Sequence, residues 1–191
     1  MEYEIRTRHW TRAEYDRLIE VGVFRPGDPV ELLGGELIVA EPQSEAHYTA
    51  VGLVEDALKV AFGPGWLIRT QGPIALDENS EPEPDIAVAP GRRRDYSREH
   101  PARPVLVVEV ALSSLSLDRH HKGSLYARAR LQEYWILNLA ERVLEVYREP
   151  VEDTTAPFGW RYASVQALGP GLSTTPLAAP VGRVLVSDLL P

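Results

Sequence analysis

The segment from Pro104 to Tyr126 constrains the fold more than any other part of the sequence. It begins with the apolar run PVLVVEVA, in which one carboxylate, Glu109, stands between valines. A continuous branched-apolar run of this kind predicts a β-strand that is covered on both faces. An ionised carboxylate in such a strand is costly unless a cation, hydrogen-bond donors or solvent lie beside it. The sequence therefore predicts a partner for Glu109.

A second acid, Asp85, precedes another short strand-like run. It ends the segment EPEPD, whose prolines hold the chain extended, and it leads into the apolar run IAVA. If IAVA pairs antiparallel with the strand of Glu109, with Ala89 opposite Val105, then Asp85 lies opposite Glu109. Opposed residues have Cβ atoms about 5 Å apart, so the two carboxylates would repel unless a cation lay between them. A shift of one residue would instead turn Asp85 to the other face of the sheet.

Lys122 follows these acids and is one of only two lysines in a chain with 20 lysine and arginine residues. The chain thus uses arginine for most positive charges, which favours a specific role for Lys122. If a helix begins near Ser116, Lys122 lies about 9 Å along it and can reach the gap between the acids. A movable ammonium group there can contact a phosphate or an attacking water. Taken alone, the spacing favours a more common arrangement, an exposed ion pair with Asp118.

The order of these residues resembles the Uma-two (Uma2) family of restriction-endonuclease-like proteins, within the PD-(D/E)xK nuclease superfamily. The matching motifs are Pro84-Asp85, Glu109-Val110-Ala111, Ser113-Ser114-Leu115, Asp118, Lys122, Tyr126-Ala127-Arg128 and Glu133-Tyr134-Trp135. Upstream, the hairpin segment Val30 to Leu37 and the helix entry from Pro42 to His47 match as well. The chain departs from the superfamily pattern at Ala111, where the lysine usually stands, and the resemblance implies Lys122 as its substitute.

The resemblance implies an α/β (α+β) fold with a restriction-endonuclease-like core. This core is a mixed central β-sheet flanked by helices, to which an N-terminal hairpin and C-terminal strands are added. Asp85, Glu109 and Lys122 are the implied catalytic residues. A Mg²⁺ or Mn²⁺ ion would be held by Asp85, Glu109 and the main-chain carbonyl of Val110, since hard cations take oxygen ligands. Glu45 is a candidate outer ligand, although the helix dipole also accounts for an acid near a helix start.

Local patterns predict the remaining elements. A capping box predicts a helix from Thr11 to Gly22, and Ser44 is a good N-cap for a helix that runs to Phe62. Gly34-Gly35 indicates a hairpin turn, in which Glu31 and Glu36 are expected to face solvent. Further strands are predicted at residues 66–70, 73–76, 133–137, 143–147, 160–165 and 184–186.

Composition limits the classes of function. A length of 191 residues, 44% hydrophobic and 25% charged, predicts one globular domain over residues 1–191. Neither a membrane span nor a secretory signal is visible, so a cytoplasmic location is expected. The absence of cysteine excludes disulfides and thiolate metal sites. A formal net charge of -8 argues against a broad basic surface for nucleic acid, although acids that bind metal contribute to such a balance.

Three functions are consistent with this sequence. The first is a metal-dependent phosphodiesterase that acts on nucleic acid, with DNA as the expected substrate. The second is a non-catalytic interaction or scaffold domain that keeps the fold, which the acidic charge and Ala111 favour. A metal hydrolase with another kind of substrate is the third. Opposed acids on a buried hairpin have few uses other than metal binding, which favours the nuclease. The sequence leaves open whether the chain forms a homo-oligomer.

Overall fold

The fold is a mixed six-stranded β-sheet with helices packed against it. The computed structural model describes residues 7–25, 27–40 and 43–191. The helices in these ranges are α1 (Arg12–Glu20), α2 (Glu45–Phe62), α3 (Leu115–Leu117) and α4 (Gly123–Arg128). The strands are β1 (Val30–Leu33), β2 (Glu36–Val39), β3 (Trp66–Thr70), β4 (Ile86–Pro90), β5 (Leu106–Ala111), β6 (Glu133–Asn138), β7 (Val143–Glu152), β8 (Trp160–Leu168), β9 (Ser173–Thr174) and β10 (Val184–Leu185).

The large sheet has the strand order β3-β4-β5-β6-β7-β8. Its neighbours run antiparallel except for β5 and β6, which are parallel and are connected through the helical segment that contains α3 and α4. The β1–β2 hairpin and the β9–β10 pair form separate two-stranded sheets. These features confirm the predicted fold class, including the additional N-terminal hairpin and C-terminal strands. None of the helices in the described ranges is long and apolar enough to span a bilayer.

The register of β4 and β5 determines which acids meet. Ile86 pairs with Val108 and Val88 pairs with Leu106, so the next position of this register sets Asp85 opposite Glu109, as predicted. All six residues of β5 are buried. The run of branched apolar residues therefore forms a strand covered on both faces, and Glu109 is carried into the interior with it.

Helices α1 and α2 begin at the predicted caps. Thr11 forms a capping box with Glu14, and the Ser44 hydroxyl accepts a hydrogen bond from the His47 backbone N–H. One prediction is wrong: residues 73–76 belong to no strand. Pro73 has no N–H to donate to a ladder, and the N–H groups of Ile74 and Ala75 bind carbonyls of two separate segments.

Helices α3 and α4 are joined by a π-helical turn, Asp118–Lys122. The three pieces form one continuous helical segment that starts close to the predicted position near Ser116. Single π turns within helices are rare and are frequent at functional sites. This turn ends at Lys122, so the π-helical part of the segment is the part that carries the candidate lysine.

Helix α2 packs on the sheet through a stripe that includes Leu58, which is fully buried. Leu58→Ala is expected to lower the free energy of unfolding by about 3 kcal/mol, because it removes buried methyl groups and leaves a cavity. Val60 on the same helix is 85% exposed, and Val60→Ala should change the free energy of unfolding by less than about 0.5 kcal/mol. Urea denaturation followed by circular dichroism measures both values. Equal losses in the two variants would contradict this packing of α2.

Candidate active site

The ends of β4 and β5 bring Asp85 and Glu109 together. Asp85 Oδ2 accepts a hydrogen bond from the Val110 backbone N–H at 2.8 Å. Glu109 Oε2 lies 3.4 Å from the Asp85 backbone nitrogen, which is a weak contact by comparison. Both acids are buried. The Asp85 carboxylate is therefore held by the backbone of β5, whereas the Glu109 carboxylate only approaches the backbone at Asp85.

Val110 presents its backbone to the same place. The N–H and C=O groups of one strand residue point to the same neighbouring strand. Because the Val110 N–H binds Asp85, strand geometry predicts that its carbonyl also faces the β4 edge of β5. The three predicted metal ligands, Asp85, Glu109 and Val110, thus lie at one edge between two strands.

Lys122 reaches the acid pair from the helical segment. Its Nζ donates to Glu109 Oε1 at 3.1 Å and to Glu31 at 3.2 Å. The alternative of an exposed pair with Asp118 is wrong, since Lys122 and Asp118 are 5% and 2% exposed. Asp118 accepts a hydrogen bond from the Ser114 hydroxyl at 2.6 Å. The π turn buries both side chains on the face that packs against the sheet and the hairpin.

Glu31 contradicts the prediction that it faces solvent. It is 7% exposed, and its Oε2 accepts a hydrogen bond from the Glu83 backbone N–H at 3.1 Å. The hairpin packs on the segment before Asp85, where Leu32 and Glu81 form a β-bridge. This contact joins residues far apart in the chain, so no local pattern shows it. The available signal was a lone acid in the apolar run VELL, the same feature that singled out Glu109. Glu36 is exposed, as predicted.

Helix α2 contributes an imidazole to the site. His47 Nε2 lies 2.8 Å from Asp85 Oδ1, and the His47 side chain is 14% exposed. Glu45 is exposed and does not line the cavity that contains the other acids. Residues two apart on a helix point in nearly opposite directions, because one turn takes about 3.6 residues. The structure thus brings His47 to Asp85 and leaves Glu45 apart, so an outer-ligand role for Glu45 stays a prediction.

The helix entry to α2 that supported the family resemblance includes Pro42. Pro42 lies outside the described residues, whereas the rest of that motif, from Gln43 to His47, is described.

Two buried tyrosines donate hydrogen bonds to acidic residues of the site, one to a carboxylate and one to a backbone carbonyl. The Tyr126 hydroxyl donates to Glu109 Oε1 at 2.7 Å, and the Tyr134 hydroxyl donates to the Asp118 carbonyl at 3.2 Å. Burial raises the pKa of both tyrosines well above the usual range, so both remain protonated donors. Sequence reasoning assigned neither residue to the site, because buried tyrosines are most often part of a core.

A half-open cavity of about 400 Å³ gives access to these groups. Its polar lining is Glu31, His47, Glu83, Asp85, Glu109, Asp118 and Lys122. The hairpin supplies one apolar wall with Val39 and Ala40, and the start of the helical segment supplies another with Leu112 and Leu117. A small polar ligand, or part of a larger one, can therefore contact the buried acids from solvent.

The site carries more negative than positive charge. Burial raises the pKa of Glu109 well above its usual value, and Asp118, Asp85 and Glu31 raise it further while Lys122 opposes the rise. Burial alone would lower the pKa of Lys122, but Glu109, Glu31 and Asp118 together raise it. Glu31 and Asp118 therefore favour the charged form of Lys122 in addition to Glu109. Three buried acids, Glu31, Glu109 and Asp118, thus act on one ammonium group, with Asp85 beside Glu109, an arrangement that an additional cation would stabilise.

The residues present fit a hard divalent cation. Within the described ranges, no three or more Asp, Glu, His or Cys residues form a ready-made metal cluster. Mg²⁺ does not require one, since it is usually held by one or two carboxylates together with water and substrate phosphates. Asp85, Glu109 and the Val110 carbonyl offer oxygen donors of this kind.

Comparisons with known proteins agree with this fold. Residues 12–181 match the Uma2 family model, which is described as "Putative restriction endonuclease". The chain is also similar to a crystal structure described as "a putative nuclease belonging to DUF820" from Anabaena variabilis, with a TM-score of 0.68 and 16% sequence identity. That likeness covers 90% of this chain and 96% of the other, and at this identity it shows a shared fold. No curated protein matches the chain.

Proposed function

The chain belongs to the Uma2 family of restriction-endonuclease-like proteins, and we propose that it is a divalent-metal-dependent nuclease that hydrolyses phosphodiester bonds of nucleic acid. The observation that carries this proposal is the opposition of Asp85 and Glu109 beside a buried Lys122, in a cavity open to solvent. DNA is the proposed substrate, in keeping with the restriction endonucleases of the family description.

The proposed ion is Mg²⁺ or Mn²⁺, held by Asp85, Glu109 and the Val110 carbonyl. When bound, such an ion lowers the pKa of a bound water and neutralises charge on phosphate oxygens. The donor types support this choice, because both ions prefer carboxylate, carbonyl and water oxygens.

The side chains around the acids have separate tasks in the proposed reaction. Water attacks phosphorus and the bond from phosphorus to the leaving oxygen breaks, with no covalent enzyme intermediate. Lys122 donates hydrogen bonds to the attacking water or to a phosphate oxygen. Tyr126 and Lys122 fix the Glu109 carboxylate, and His47 and the Val110 N–H fix that of Asp85. Groups that are already oriented need little rearrangement when charge develops in the transition state.

Calorimetric titration with Mn²⁺ tests the metal site without any assumption about substrate. The wild type is expected to bind Mn²⁺, and Asp85→Asn should bind it about 100-fold more weakly, because the variant loses a charged ligand. Asp56→Asn is the matched control, since Asp56 lies on the surface of α2 with a side chain that is 80% exposed. Its affinity for Mn²⁺ should equal that of the wild type.

Nicking of supercoiled plasmid DNA tests the reaction. The wild type should nick plasmid in Mg²⁺ or Mn²⁺ and lose this activity in excess chelator, because the metal activates the water. Substrate phosphate often completes a Mg²⁺ site, so the titration is repeated with duplex DNA present. A folded wild type that binds no Mn²⁺ with or without DNA, and nicks no plasmid, would contradict the proposed function.

A further inference from the structure

We propose that Glu31 is a positioning residue of this site, which holds the Lys122 ammonium group against Glu109 and does not bind the metal itself. The inference rests on the proposed function. It makes the N-terminal β1–β2 hairpin a part of the active site, although that hairpin lies outside the six-stranded sheet.

Both carboxylate oxygens of Glu31 face donors of the protein. Oε1 accepts from Lys122 Nζ, and Oε2 accepts from the Glu83 backbone N–H at 3.1 Å while lying 3.2 Å from the same Nζ. Glu31 therefore ties the helical segment to the chain just before Asp85. A carboxylate engaged in this way is better placed to orient other groups than to bind a cation.

The hairpin gives Glu31 a firm support. The backbone carbonyls of the two neighbouring residues both accept hydrogen bonds of 2.7 Å. The Val30 carbonyl accepts from the Tyr15 hydroxyl, and the Leu32 carbonyl accepts from the Glu81 N–H. The backbone at Glu31 is thus held in place by hydrogen bonds that do not involve the Glu31 side chain. This rigidity is what a positioning residue requires.

Lys122 depends on this support because its own side chain is flexible. The Lys122 side chain is 6% exposed, and its ammonium group donates hydrogen bonds to Glu31 and Glu109. Without the Glu31 charge, Glu109 is the remaining carboxylate that accepts a hydrogen bond from Lys122. It would then compete with a cation for Glu109, and its place beside the substrate phosphate would no longer be fixed.

The scarcity of lysine provides a direct test. Selective ¹⁵N labelling of lysine gives only two ammonium signals in NMR, from Lys122 and Lys59. Lys59 is the internal control, since its side chain is 52% exposed and it lies about 18 Å along α2 from His47. Hydrogen exchange of the two ammonium groups is compared in the wild type, in Glu31→Gln and in Glu36→Gln, whose residue is exposed on the same hairpin.

Glu31→Gln is expected to speed exchange at Lys122 by about tenfold or more, because a charge-assisted hydrogen bond is weakened. Glu36→Gln should leave Lys122 unchanged, and Lys59 should not change in any variant. Unchanged exchange at Lys122 in a folded Glu31→Gln variant would overturn the proposal. Should Glu31→Gln fail to fold, Glu31→Asp replaces it, since it keeps the charge but shortens the side chain and should also speed exchange.

Mn²⁺ affinity separates a positioning role from direct ligation. Glu31→Gln should weaken Mn²⁺ binding about tenfold when it is the single substitution. In a Lys122→Met background it should weaken Mn²⁺ binding less than about threefold, because no ammonium group remains to compete with the ion for Glu109. The same large loss in both backgrounds would identify Glu31 as a metal ligand and overturn the proposal. A wild type that binds no Mn²⁺ would overturn the proposed metal site instead, and lysine exchange would still decide the role of Glu31.

Discussion

Lys122→Met is expected to slow phosphodiester cleavage by about 10³-fold while Mn²⁺ binding is retained or strengthened. The ammonium group is proposed to orient the attacking water or a phosphate oxygen, and methionine fills its volume without a charge or donor. Metal affinity should not fall, because the variant removes a positive charge next to Glu109. The rate of plasmid nicking at saturating metal and substrate, together with a Mn²⁺ titration, measures both effects.

Lys59→Met is the control for this experiment, since Lys59 is on the exposed surface of α2 and its loss should leave the rate unchanged. Loss of Lys122 also leaves buried carboxylates unpaired, which can cost about 3–5 kcal/mol of stability. Binding of Mn²⁺ should restore part of the lost stability, because a ligand that binds the folded state stabilises it. Rates are therefore compared under conditions in which the variant is folded. Cleavage by Lys122→Met at the wild-type rate would show that the lysine has a structural role.

The acid pair could be predicted from sequence because its geometry depends on neighbouring strands. Two short apolar runs joined by one loop leave few registers, and burial of both faces makes a charged residue conspicuous. The pairing of Ile86 with Val108 agrees with the register assumed from the sequence, where a shift of one residue is also open. Burial of Glu109 could be predicted for the same reason, as could its need for a partner.

The surroundings of the acid pair depend on contacts that no local pattern specifies. Glu31 and Lys122 are 91 residues apart, and they meet because the hairpin docks on the segment before Asp85. The π turn also could not be predicted, since its extra residue changes which side chains face the sheet. His47 and Glu45 are two residues apart on α2, and only the position of α2 on the sheet decides which of the two side chains turns inward.

A nuclease and a scaffold differ in whether the charged groups of the site stabilise the folded protein. A structural ion pair is satisfied by its own partners and is destabilised when one partner is removed. Here Lys122 forms ion pairs with Glu31 and Glu109, while Asp85 and Asp118 are buried beside them, so the four acids outnumber the one ammonium group. Sites that bind cations or substrates often keep such unfavourable arrangements at a cost in stability.

Glu109→Gln is expected to distinguish a nuclease from a scaffold, because it should slow cleavage by about 10⁴-fold and, at pH 5, change the free energy of unfolding by no more than about 1 kcal/mol. The glutamine Oε1 can still accept hydrogen bonds from Tyr126 and Lys122 in place of the carboxylate oxygen. The amide NH₂ group faces the Asp85 backbone N–H, another donor, so the variant loses this contact, which is already weak at 3.4 Å in the wild type. Lys122 keeps Glu31 as a charged partner.

The pH dependence of this variant provides an independent check. Burial raises the pKa of Glu109, so the folded protein binds its proton more tightly than the unfolded chain does. The contribution of this proton to the free energy of unfolding is fully present below the ordinary carboxyl pKa of the unfolded chain. It is lost as the pH rises through the raised pKa of Glu109 in the folded protein. Glutamine cannot ionise, so the stability of Glu109→Gln relative to the wild type should increase between pH 5 and pH 8 in denaturation experiments without metal. A loss of about 3–5 kcal/mol across this range would instead mean that Glu109 and Lys122 form a structural ion pair, which favours the scaffold.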